Sequence, residues 1–195
     1  MICALCSSLM DFVLLACCLT LRECGIVIVM DCDLLKNIVI FKNRRIMAEL
    51  KHIDLYTDGA CSGNPGVGGY GGILMYRGVE REYSGVDANT TNNRMEITAV
   101  IEGLKMLKEP CEVHIYSDSA YVVNAFNEGW LNNWQANGWR TAGKKSVQNA
   151  DLWLNLLELV SIHQYTFIKV KGHADNEYNN RCDKLATGEI AKYKA

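Results

Sequence analysis

Apolar and polar positions alternate with a period of two near residue 55. Ile53, Leu55 and Thr57 face one way, while Asp54, Tyr56 and Asp58 face the other, which predicts a strand. That strand opens into Gly59, Gly63, Asn64, Pro65 and Gly66, a dense cluster of turn residues. Two further stretches, Tyr70 to Tyr76 and Val79 to Ser84, read as strands flanking Arg77-Gly78 and predict a hairpin. The period then changes. Ile97, Val100, Ile101, Leu104 and Leu107 fall at helical spacing, with the Asn92-Asn93 pair placed to cap the helix and Pro110 beyond its end. Val113, Ile115 and Ser117 alternate as a fourth strand ending at Asp118. Ser119 to Asn127 and Asn149 to Val160 predict two more helices, and Tyr165 to Val170 a fifth strand. Leu185, Ala186 and Ile190 form the apolar face of a last helix that begins at or contains Asp183. Strands and helices in this succession make an α/β domain.

Residues 1–46 follow a different pattern. They are rich in Cys, Leu, Ile and Val and contain no Pro. The apolar run from Phe12 to Leu21 is shorter than the about 20 residues a membrane span needs. No basic region precedes it and no small-residue cleavage site follows, which argues against a signal peptide. Cys3-Ala-Leu-Cys6 is a lone CxxC without a second pair at zinc spacing. Ile26 to Met30 and Ile38 to Phe41 could form short strands, but without a partner pattern. Met47-Ala-Glu-Leu-Lys leads directly into the first strand, as a natural start would. The expected organisation is an unstructured extension or start-site artefact over 1–46 and the α/β domain over 47–195.

Composition changes this picture in two places. A net charge of -2 over 195 residues gives no global basic signature, so any contact with nucleic acid must come from a local patch. Of nine cysteines, only Cys61, Cys111 and Cys182 lie after the first strand, scattered and without ligand spacing. That placement points to a reducing, cytoplasmic compartment.

The candidate chemistry lies in carboxylates. Taken alone, Asp58 reads as a turn cap, and Glu96 as a first-turn residue complementing the helix dipole. Asp118, however, ends a second strand, and ligands of α/β folds bind at the carboxyl ends of strands. With Asp183 there are four acidic groups on four elements. Hard oxygen donors in this number suit Mg²⁺, with Mn²⁺ as an alternative. Two such ions can activate water and stabilise the leaving oxygen of a phosphodiester. His173, in a polar Gly-His loop, titrates near neutrality and could move the proton. Trp130, Trp134 and Trp139 crowd one segment, followed by Arg140, Lys144 and Lys145. Rings beside cations suit base stacking and phosphate contact; they fit a satellite core under a loop equally well.

These motifs resemble ribonuclease H, type 1, close to the bacterial enzymes. The resemblance rests on Tyr-Thr-Asp-Gly-Ala-Cys-Ser-Gly-Asn-Pro-Gly at 56–66, Thr-Thr-Asn-Asn-Arg-Met-Glu at 90–96 and Ser-Asp-Ser at 117–119. Val-Lys-Gly-His-Ala at 170–174 and Asn-Arg-Cys-Asp at 180–183 complete it, and the match runs from about Leu50 to Lys192. It implies a ribonuclease H-like fold, a five-stranded mixed sheet flanked by helices. It implies that Asp58, Glu96, Asp118 and Asp183 hold two Mg²⁺ and that His173 assists proton transfer or product release. The implied substrate is an RNA–DNA hybrid, cut in its RNA strand to leave 5′-phosphate and 3′-hydroxyl ends. Asn64 and Asn92 match positions that contact the RNA or DNA strand, and Thr91 one that holds a DNA phosphate. Trp130 and Trp134 fall in the segment lining the DNA-strand channel, with Arg140, Lys144 and Lys145 after them. A monomer acting away from membranes is expected.

In one place the chain departs from this pattern. Several bacterial relatives carry Lys and Arg between the second and third Trp, where this chain has Gln135, Ala136 and Asn137. No hybrid-binding module is recognisable ahead of the domain. Weaker hybrid binding with intact chemistry is the expectation. A catalytically dead binding module on the same fold is a competing reading, but a mere binder has no reason to keep four mutually repelling carboxylates. A transposase or integrase also uses an acidic cluster on a related fold, yet this chain shows no DNA-recognition or assembly domain.

Overall fold

The computed structural model describes residues 50–171 and 176–195. Strands β1 (Lys51–Gly63), β2 (Gly66–Tyr76) and β3 (Val79–Thr90) form an antiparallel meander. Helix α1 (Asn92–Lys105) then leads to β4 (Cys111–Ser117), which pairs parallel with β1. Helices α2 (Ala120–Asn127), α3 (Trp130–Ala136) and α4 (Ala150–Val160) precede β5 (Gln164–Lys169), parallel to β4, and α5 (Glu177–Lys194) ends the chain. The sheet order is β3-β2-β1-β4-β5, the five-stranded mixed sheet expected.

The main core lies between the sheet and α1, α2 and α4. Leu55, Val113 and Ile115 of the sheet are fully buried with Ile97, Val100, Val122, Trp153 and Leu156 of the helices. The β-branched Ile97, Val100 and Ile101 lower helix propensity by at most about 0.7 kcal/mol each. Burying each contributes about 1.5–3 kcal/mol, so tertiary packing decides that α1 is a helix. Helix α5 covers the opposite face, directing Cys182, Ala186 and Ile190 inward. It approaches closely because β2 presents glycines there. A Cβ at Gly71 would sit 2.6 Å from Leu185 Cβ and 2.7 Å from the Cys182 carbonyl oxygen. The β1–β2 turn needs Gly63 because its φ is 98°.

Several element boundaries differ from the sequence expectation. β1 continues to Gly63, so Asp58 lies inside a strand and not at its end. The pairing explains this. Asp58 remains opposite Gly71 of β2, while the parallel ladder with β4 stops at Tyr56–Tyr116. Asp58 therefore stands just past the end of the parallel pair, where a crevice opens. β3 runs to Thr90, since the glycine-rich part of β2 still offers it backbone partners. The Asn92-Asn93 pair does not cap α1. Thr91 holds the cap position without a side-chain bond, and the two Asn form the first turn. Glu96 consequently falls beyond that turn, which contains no acidic residue, and the helix dipole does not account for it. The segment 130–136 is helical, an element absent from the sequence expectation.

Candidate active site

Four elements converge where the parallel pairing of β1 with β4 ends. Asp58 comes from β1, Glu96 from α1, Asp118 from the residue following β4 and Asp183 from the middle of α5. One carboxylate oxygen each from Asp58, Glu96 and Asp118 all lie within 4.8 Å of one another. Asp183 is not within that tight group, but its charge acts on Asp58. Asp58 and Glu96 are buried at 8% and 7% exposure. Asp118 and Asp183 are half-buried and form the solvent side of the group.

Burial and like charge make Asp58 and Glu96 costly to ionise. Burial first, then the Asp118 charge, pushes the Asp58 carboxyl from an ordinary 3.8 up to about 7; the Gly59 N–H opposes the rise and Asp183 adds to it. Glu96 is raised well above its usual range, chiefly by burial and then by Asp58 and Asp118. Each of the three clustered carboxylates is fixed by one donor. Gly59 N–H donates to Asp58 Oδ1 at 2.8 Å, the Asn92 amide to Glu96 Oε1 at 3.3 Å, and the Asn179 amide to Asp118 Oδ2 at 3.2 Å. Glu96 Oε2 is buried with no hydrogen-bond partner among the described residues. An orphaned buried carboxylate oxygen amid other carboxylates calls for a cation. The residues present therefore fit divalent-metal binding.

Asn179 was not singled out from the sequence. Its signal was the spacing of four residues before Asp183, which sets both on one helical face. The pairing with Asp118 needed the tertiary fold. Of the expected strand contacts, Asn64 accepts from the Asn92 N–H at 3.4 Å, and Asn92 turns its own amide to Glu96. Asn64 and Thr91 line an open cleft of about 430 Å³ together with Asn93, Gln148 and Asn149. From sequence, Asn93 reads only as a helix cap and Asn149 only as a helix start, and nothing marks Gln148. Asn149 is held there by Arg94 Nη1 at 3.4 Å, and Arg94 also pairs with Asp151 at 2.8 Å.

Trp130, Trp134 and Trp139 are half-buried against the main core, with Trp134 6.0 Å from the fully buried Trp153. Packing thus takes one face of these rings and leaves an outer edge. Arg140, Lys144 and Lys145 are exposed on a loop closed by the Arg140–Ser146 bridge. His173 lies outside the described residues. Cys61, Cys111 and Cys182 are free thiols. No helix among the described residues is long and apolar enough to cross a membrane.

Comparison with known proteins bears on the family and the fold. A family model described as RNase H matches residues 50–191. The chain is 60% identical over 141 residues to a ribonuclease H of Caldanaerobacter subterraneus subsp. tengcongensis, covering 72% of this chain and 92% of that one. It is 65% identical over 140 residues to one of Chlorobium phaeobacteroides, covering 72% and 96%. Among solved structures, LC9-RNase H1, a type 1 RNase H with the type 2 active-site motif, superposes with a TM-score of 0.66 at 28% identity, over 73% of this chain and 74% of that chain. The PFV RNase H domain does so with a TM-score of 0.62 at 28% identity, over 75% and 98%. The chain belongs to the ribonuclease H family of hydrolytic nucleases, and the acidic cluster beyond the β1–β4 pair occupies its candidate active site.

Proposed function

We propose that this chain hydrolyses the RNA strand of RNA–DNA hybrids by a two-metal mechanism, leaving 5′-phosphate and 3′-hydroxyl ends. The observation that carries this reading is the clustering of Asp58, Glu96 and Asp118 within 4.8 Å, with a buried Glu96 oxygen left unpartnered. Asp58, Glu96, Asp118 and Asp183 would hold Mg²⁺, or Mn²⁺ in its place. When bound, the cations supply Lewis-acid activation of the attacking water and stabilise charge on the departing 3′-oxygen. The chain's own part is orientation. Gly59, Asn92 and Asn179 each fix one carboxylate oxygen. Such fixed ligands do not reorganise as charge develops, which is how a preformed site lowers a barrier. The cleft of Asn64, Thr91, Asn93, Gln148 and Asn149 would seat the substrate backbone through neutral amides and a hydroxyl. Trp130 and Trp134, with Arg140, Lys144 and Lys145, would guide the DNA strand. His173 would carry the proton or speed product release.

The test is one gel with labelled RNA–DNA hybrid, duplex RNA and duplex DNA, each with Mg²⁺ and with chelator. Cleavage confined to the hybrid with Mg²⁺, giving fragments that a 5′-phosphate-dependent exonuclease degrades, is expected. Cutting of duplex DNA, or of hybrid in chelator, would overturn the reading. The same reading has the enzyme working as a monomer in a reducing cytoplasm, consistent with the free thiols of Cys61, Cys111 and Cys182. A sedimentation run showing a dimer would remove the first part, and localisation of the native protein outside the cytoplasm the second.

A further inference from the structure

The sheet face that carries Asp58 also holds a second group of metal-ligating side chains. Alternate residues of β1 and β4 share this face, and the parallel register sets His52 beside Glu112 and Asp54 beside His114. His52 Nε2 lies 3.4 Å from Asp54 Oδ1, and His52 Nδ1 lies 3.6 Å from Glu112 Oε2. His114 Nε2 lies 3.6 Å from Glu112 Oε1, and the two imidazole rings meet edge to face at 4.3 Å. One ligating atom each from His52, Asp54 and His114 all fall within 4.8 Å of one another.

We propose that His52, His114 and Asp54 form a binding site for a transition-metal dication of the Zn²⁺ type, with Glu112 orienting the rings. Chemistry separates this group from the acidic cluster. Imidazole nitrogen suits Zn²⁺, Ni²⁺ and Cu²⁺, whereas an all-carboxylate group suits Mg²⁺ and Mn²⁺. Position separates them too. Asp54 and Asp58 are four residues apart along β1, about 13 Å at strand spacing. The stacked rings of Tyr56, Tyr116 and Tyr178, 4.5 and 4.6 Å apart, fill the space between.

The geometry needs little change to close. Ligands about 2.0–2.1 Å from a tetrahedral Zn²⁺ stand roughly 3.3 Å from each other. Side-chain rotation alone covers the difference, because the strand register already holds the backbones in place. The side chains are 47% exposed at His52, 28% at His114, 26% at Asp54 and 46% at Glu112, so a cation can enter from solvent. Neither imidazole makes a hydrogen bond of ordinary length among the described residues, unlike buried His163, whose Nδ1 accepts the Cys111 N–H at 3.1 Å. A Glu112 carboxylate behind ring nitrogens is the arrangement that fixes tautomer and ring direction at metal sites.

The experiment adds Zn²⁺ to the full chain in excess Mg²⁺ at about pH 7.5, where free imidazoles are neutral. Histidine ring nitrogens are followed by NMR, so zinc taken up by cysteines does not enter the readout. His52 and His114 are expected to shift together and saturate together while His163 stays in place. Glu112→Gln should weaken this binding about tenfold, and His114→Asn should abolish the shift of His52. His52→Gln, at the more exposed position, serves if His114→Asn does not fold. Rings that stay unmoved at about millimolar Zn²⁺, or that shift independently and regardless of Asp54→Asn, would overturn the proposal.

Discussion

Replacing Asp58 with Asn should abolish cleavage and, in the absence of divalent cations, make the fold more stable. In the cation-free protein the Asp58 carboxyl rises from an ordinary 3.8 to about 7, through burial and the Asp118 charge. A group with a raised folded-state pKa contributes stability that is full below its unfolded value and is lost as pH climbs through the folded one. The window is therefore about pH 4 to 7. At about 1.36 kcal/mol per pKa unit, ionising Asp58 by pH 7 removes at most roughly 4 kcal/mol. Asn keeps the oxygen that accepts the Gly59 N–H and cannot ionise. Since Glu96 feels part of the same repulsion, the expected gain is roughly 2–4 kcal/mol. For a chain of this size that raises Tm by roughly 5–15 °C. The assay is calorimetric melting in chelator from pH 5 to 8 for both proteins, where their difference isolates Asp58 from carboxylates that ion pairs hold low. Saturating Mg²⁺ should narrow the gap, because a cation at a hundred times its Kd adds about 2.7 kcal/mol to the protein that binds it. Activity on hybrid should fall roughly a thousandfold or more, at about 1.4 kcal/mol per factor of ten. Identical pH slopes in chelator, or near-native cleavage by the variant, would refute the reasoning.

Asn179→Ala should release Asp118 Oδ2 and lower kcat about tenfold with little change in Tm; an unchanged kcat would show that Asp118 needs no anchor. Gly59→Ala should destabilise by more than about 3 kcal/mol in urea titration, because a Cβ there would press on the Glu96 backbone nitrogen and lie 2.5 Å from the Met95 carbonyl carbon. A chain starting at Met47 should match the full chain in Tm and activity, and a large loss in either would show that residues 1–46 support the domain. Lys at positions 135–137, all solvent-exposed, should lower the Michaelis constant on hybrid and steepen its salt dependence by up to about three units of slope, with the maximal rate little changed. An unaltered slope would assign the tryptophans to packing alone.

Local periodicity determined much of this protein from sequence. Alternation at 53–58 and helical spacing at 97–107 identified the elements, because which face a residue takes depends only on its own segment. Ile53, Leu55, Ile97, Val100, Ile101 and Leu104 are buried as their spacing requires. The types of the four carboxylates and their placement after strands or in helices likewise suggested a cation site. Neighbours across the fold were a different matter. Asp58 was read at a strand end because Gly59 and Gly63 look like turn residues; only β2, pairing across those glycines, keeps the strand going. By spacing alone Glu96 reads as a dipole-complementing residue; with Thr91 at the cap position it falls beyond the first turn. The bond from Asn179 to Asp118 spans 61 residues, and no spacing within either segment announces it. His52 and His114 stand on separate strands, and only their parallel register sets them on one face. A segment's period determines its direction and burial, whereas contacts between distant segments are set by strand order and register, which only the tertiary structure decides.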